Sequence, residues 1–163
     1  MNVAGFVAAW TIAYGTIQAV APSMLTRSND GLSREVPAAR IWGLVLTAIP
    51  ASLAFLIAMP GMPRPDLMLV AGLMVFGFVF AVISSLHSYL ILAYAGSEKV
   101  AEDVGFYYAA NAAGRLAGIL LSGILTQQFG LAGCLWGSAV MLAICFGITA
   151  MLPSGAESRR VPA

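Results

Sequence analysis

Charge is what this sequence has least of. Only 9% of its 163 residues are Asp, Glu, Lys or Arg, against about 25% in a soluble domain. So few charges cannot cover a surface that faces water on all sides, which excludes an ordinary soluble fold. The net charge of +1 gives no basic footprint for nucleic acid. Histidine occurs once, at His87, and cysteine twice, at Cys134 and Cys145. Both cysteines lie in one apolar run without metal-ligand spacing, so they read as small apolar residues. No metal site and no cofactor follow from this set. Enzyme signatures are also absent, with no nucleophile beside a histidine and an acid and no phosphate-binding loop. The chain is therefore expected not to be an enzyme. A basic n-region is lacking too: the first arginine is Arg27, and Trp10, Tyr14 and Gln18 precede it. That argues against a cleaved signal peptide.

What the sequence has is apolar length. Hydrophobic residues make up 60% of it and the mean hydropathy is +0.90. A membrane-spanning helix needs about 20 predominantly apolar residues, and five runs qualify. They cover about Val3–Ala21, ended by Pro22; Ile41–Met59, ended by the cluster from Pro60 to Pro65; Leu67–Ala95; Val104–Gln127; and Leu131–Leu152. A short turn at Phe129-Gly130 separates the last two. The expectation is an all-α membrane protein, with residues 1–152 forming a transmembrane bundle in the lipid bilayer and residues 153–163 a disordered polar tail. Pro50 falls mid-helix, which a membrane helix tolerates as a kink. Gly114-x-x-x-Gly118, with Ser122 four residues on, is a small-residue stripe that lets another helix approach.

Loop charges predict orientation. Arg27, Arg34, Arg40, Lys99, Arg159 and Arg160 fall on one side of a five-span chain and Arg64 alone on the other. The C-terminus is expected in the cytoplasm and the N-terminus outside, in the inner (plasma) membrane. An odd number of spans starting outside suggests the C-terminal portion of a larger permease, or a chain that pairs with a partner.

The candidate site residues are polar groups at helical spacing. Arg115 lies about 18 Å into the fourth run at 1.5 Å per residue, where a charge is costly and faces a cavity or a partner. Tyr108, Asn111 and Arg115 share a face, and Tyr107 is four residues before Asn111. A guanidinium beside an amide and phenols can cage phosphate, arsenate or carboxylate oxygens; the alternative is an arginine bonded to backbone carbonyls of neighbouring helices. His87 shares a face with Ser84 and Ser88. It is either a proton or substrate group or a helix-to-helix hydrogen bond. Trp10, Tyr14 and Gln18 recur every four residues, as a cavity-lining stripe or a polar packing seam. Glu98, Glu102 and Asp103 read as a solvated face near a helix start.

Several of these segments resemble the ArsJ family of the major facilitator superfamily. They are Ser84 to Tyr94 (SSLHSYLILAY), Val104 to Leu116 (VGFYYAANAAGRL), Gly130 to Trp136 (GLAGCLW), and Gly15 to Gln18 ahead of Ala21-Pro22. The resemblance covers nearly the whole chain and implies helices 8–12 of a twelve-helix transporter. It further implies efflux of an anionic organoarsenical, 1-arseno-3-phosphoglycerate, formed by a partner glyceraldehyde-3-phosphate dehydrogenase acting on arsenate. Alternating access needs two halves about a shared site, so the remaining helices, or another copy, are expected as partners. Two other readings stay open: a truncated or non-transporting membrane protein, and a major facilitator exporter of an unrelated substrate.

Overall fold

The computed structural model describes residues 3–24, 34–61, 63–94 and 100–153. They form α1 (Val3–Met24), α2 (Glu35–Ala58), α3 (Pro65–Tyr94) and α4 (Val100–Ala150), with no strand among the described residues. Three of the helices, α2, α3 and α4, are long and apolar enough to cross a membrane. That marks a membrane-embedded protein. In hydrocarbon every backbone N–H and C=O must find its partner inside the chain, and a helix does this within one segment. Large apolar side chains accordingly face outward, among them Ile12, Phe106, Ile119 and Ile148. The expected first span is shorter in its apolar part, which covers Val7–Ala21.

Three helix ends lie three or more residues from the sequence expectation; one is the start of α4, at Val100 and not Val104. α1 does not stop at Pro22 but runs to Met24. Proline has no N–H to give the carbonyl four residues back, here that of Gln18. The Ser85 hydroxyl on α3 reaches that carbonyl at 3.3 Å as well as the Ala81 carbonyl of its own helix at 3.0 Å, so its one proton is shared and offsets the missing bond only in part. α2 starts earlier than expected, at Glu35, and takes in Arg40. The Arg40 Nη2 donates to the Leu152 carbonyl at 2.8 Å, so the charge is held by an acceptor at the end of α4. Pro50 lies inside α2 and is buried. The expected tail lies outside the described residues beyond Pro153.

α4 is broken at Gly130, whose φ of 67° and ψ of −169° are a conformation open essentially to glycine alone. The break coincides with the expected turn and divides α4 into limbs 100–129 and 131–150. The chain folds back there. A side-chain carbon at Gly133 would collide with Phe129, and one at Gly137 with Leu125; in a straight helix Gly137 and Leu125 would lie more than three turns apart. Gly133-x-x-x-Gly137 is thus the small-residue seam that joins the two limbs. The stripe picked out in the sequence, Gly114 and Gly118, has nothing within 4 Å.

The helices pack in the order α1, α3, α2, second limb of α4. Ile17 and Ala21 of α1 meet Val82 and Leu86 of α3. Leu46 of α2 packs on Val79 and Ile83, and Leu53 and Ala54 on Leu135. Val36 and Ala39 meet Leu90 and Leu152, gathering the start of α2 and the ends of α3 and α4 at one side. The Tyr94 hydroxyl closes that side, donating to the Pro153 carbonyl at 2.6 Å. The first limb of α4 stands apart, exposed along almost its whole length.

Candidate functional site

Because the limbs of α4 touch at Gly130 and part further on, they leave a space between them. A cavity of about 790 Å³ occupies it, walled by α3 and both limbs and floored by Gly43 and Leu46 of α2. Along α3 it extends from Phe80 to Tyr94, about four turns, in the half of the bundle nearest the Arg40–Leu152 contact. Most of the lining is apolar, as in small-molecule sites generally. Its polar groups are few: Ser84, His87 and Tyr94 from α3, Asp103, Tyr107 and Asn111 from the first limb, and Thr149 from the second.

The polar side chains are linked across helices. His87 Nε2 lies 3.4 Å from Thr149 Oγ1, and that hydroxyl donates to the Cys145 carbonyl at 2.9 Å. Ser88 Oγ is 3.4 Å from the Tyr107 hydroxyl and donates to the Ser84 carbonyl at 3.0 Å. Behind Ser84, the Gln18 amide of α1 donates to its hydroxyl at 3.3 Å. Tyr14 stacks between Trp10 and Phe80, with ring centroids 5.6 and 5.8 Å apart, and Phe80 itself lines the cavity. The α1 stripe is therefore a seam against the back of α3, joined to the cavity through Ser84 and Phe80.

The structure sorts the residues singled out in the sequence into three groups. Ser84, His87, Tyr107 and Asn111 line the cavity. Ser88, Tyr14 and Gln18 touch residues that do. Tyr108 and Arg115 are exposed and lie outside the lining, although Tyr108 packs at a tilt on Tyr107, centroids 5.5 Å apart. The cavity-facing stripe of the first limb is Asp103, Tyr107 and Asn111, spaced four apart; Tyr108 is turned about 100° from Tyr107.

Asp103, Thr149 and Cys145 also belong to the lining and were missed as site residues. Asp103 carried a usable signal, since it sits four residues before Tyr107. Thr149 carried none, because a threonine bonded to its own i−4 carbonyl is common in membrane helices.

No family model matches the chain, and the comparisons with curated proteins and with solved structures give no match.

Proposed function

We propose that the chain is a membrane transport protein of the ArsJ type, exporting an anionic phosphorylated organoarsenical through the cavity between α3 and α4. One observation carries the transport reading. In helices built mostly of apolar side chains, the polar groups Ser84, His87, Tyr107, Asn111 and Thr149 converge from three walls on a single cavity. Polar groups inside membrane helices are costly in a bilayer and mark solute pathways. The substrate rests on the family resemblance, and four of the residues in the resembling segments, Ser84, His87, Tyr107 and Asn111, are among the cavity's polar lining.

An anion also needs positive charge. Arg115 stands four residues, about 6 Å, beyond Asn111 on the same limb. Asp103 is at the far end of the cavity stripe, about 18 Å from Arg115 along the helix. An anionic group therefore binds at the Asn111 end, toward Arg115 and away from the carboxylate. The chain sits in the inner membrane as five spans, with each limb of α4 crossing once and the C-terminus in the cytoplasm. The family resemblance makes these spans helices 8–12 of a major facilitator fold. The exposed first limb is covered by further helices of the transporter, and the dehydrogenase that makes the arsenical is its metabolic partner.

The test is deletion of the gene from its host. Arsenate tolerance should fall and cell-associated arsenic rise, and both should be restored by the wild-type gene but not by His87→Ala or Asn111→Ala at equal membrane abundance. Unchanged arsenate tolerance on deletion would refute the arsenical substrate.

A further inference from the structure

His87 is the sole histidine of the chain, and its ring makes one hydrogen bond among the described residues, from Nε2 to Thr149 Oγ1 at 3.4 Å. Which atom carries the proton follows from the other partner of Thr149. A hydroxyl has one proton to give and two lone pairs. The Cys145 carbonyl takes that proton at 2.9 Å, a near-ideal distance and much the shorter of the two. Thr149 Oγ1 then faces the imidazole with a lone pair, so the ring must donate from Nε2. Thr149 is 4% exposed, so water does not compete for the contact. A neutral imidazole protonated at Nε2 has its acceptor at Nδ1.

We propose that Thr149 is a positioning residue that holds His87 as its Nε2–H tautomer. The ring then offers the cavity a hydrogen-bond acceptor at Nδ1 and recognises a ligand hydroxyl or a protonated oxyanion oxygen, not a fully ionised one. The arrangement follows the logic of metal sites, where the hydrogen bond to one ring nitrogen fixes what the other can do. An ionised oxygen set against Nδ1 would place acceptor against acceptor. The alcohol of a phosphorylated hydroxy acid, or a singly protonated phosphate or arsenate oxygen, supplies the donor instead. The ligand part of this proposal rests on the transport reading; the tautomer does not.

A single histidine makes the experiment direct. The chain is labelled with ¹⁵N-histidine, placed in lipid bilayers at about pH 8, above the usual imidazole range, and examined by solid-state NMR. The expected spectrum has a protonated Nε2 and an unprotonated Nδ1, with a through-space coupling from Nε2 to the Thr149 side chain. Thr149→Val should move the tautomer ratio toward Nδ1–H by roughly two- to tenfold, the size a net hydrogen bond supports. Thr149→Ser should restore the wild-type ratio. A wild-type ring protonated at Nδ1, or a Thr149→Val spectrum unchanged from wild type, overturns the proposal. The Nε2–Thr149 coupling is measured in the wild-type chain, so its absence overturns the proposal even if the valine variant does not fold. In the complemented deletion host, Thr149→Val should lower export per inserted protein, with Thr149→Ser near normal. Normal export despite a shifted tautomer overturns the ligand part alone, whereas no export by the wild-type chain refutes the transport reading and leaves the tautomer standing.

Discussion

Gly77→Ala tests the packing that holds α1 against α3. Gly77 is buried, and a side-chain carbon there would lie 2.6 Å from Trp10 Nε1 and 2.9 Å from Trp10 Cε2. The indole cannot retreat freely. Its N–H donates to the Leu73 carbonyl at 3.3 Å, and its ring stacks on Tyr14. Overpacking of this kind costs about 1–3 kcal/mol, and loss of the indole hydrogen bond adds about 0.5–1.5 kcal/mol. A total of about 1.5–4.5 kcal/mol is expected from those two terms. The control is Gly114→Ala, where nothing lies within 4 Å, so it should be neutral. The assay is unfolding by denaturing detergent in lipid bicelles, followed by tryptophan fluorescence. A smaller residue at position 10 should relieve the clash, so Trp10→Leu combined with Gly77→Ala should cost less than the sum of the single changes. If Gly77→Ala matches wild type, or Gly114→Ala is as damaging, the close α1–α3 approach is wrong.

Three further outcomes follow from the same geometry. Gly137→Leu should force the limbs of α4 apart at Leu125 and destabilise the protein by about 1–3 kcal/mol, whereas Gly118→Ala should leave stability within about 0.5 kcal/mol of wild type; equal effects in the same unfolding assay would contradict the fold-back at Gly130. A reporter active only in the cytoplasm, fused after Ala163, should be active, and an inactive but well-expressed fusion would reverse the orientation read from the loop charges. Arg115→Gln should nearly abolish export per unit of inserted protein while Arg115→Lys keeps part of it, because lysine retains the charge and loses the planar fork; normal specific export by Arg115→Gln would remove this residue from the substrate path.

Some of this structure was legible in the sequence, because the bilayer sets strong rules. A minimum apolar length and a need to satisfy every backbone group leave little freedom. The runs beginning at Val3, Ile41 and Leu67 therefore mark α1, α2 and α3, and Phe129-Gly130 marks the break in α4. Helix ends were less legible, since distant partners decide them. α2 begins before Arg40 because the Leu152 carbonyl, far along the chain, accepts from that arginine. α1 outlasts Pro22 where the Ser85 hydroxyl of α3, shared with the Ala81 carbonyl, reaches the Gln18 carbonyl. Neither contact has a local signature.

The same distinction explains which parts of the site could be read in advance. Gly114/Gly118 and Gly133/Gly137 have identical spacing, and no local rule separates a stripe that meets a neighbour from one that faces open space. What separates them is Gly130, whose left-handed φ turns the second pair onto Phe129 and Leu125 while the first limb diverges. That divergence makes the cavity, so the turn selects which side chains become site residues. Counted from the turn, the stripe of the first limb that looks into the opening holds Asn111, Tyr107 and Asp103, and the adjacent Tyr108 rotates out of it. On the second limb the stripe ends at Thr149, whose hydroxyl serves its own helix through Cys145 and still has a lone pair for His87. Such a residue looks inert in sequence because its one proton is spent locally. It becomes part of the site only through the acceptor that remains, which α3 reaches because α2 clamps it and the second limb together through Gly43, Leu46 and Phe146.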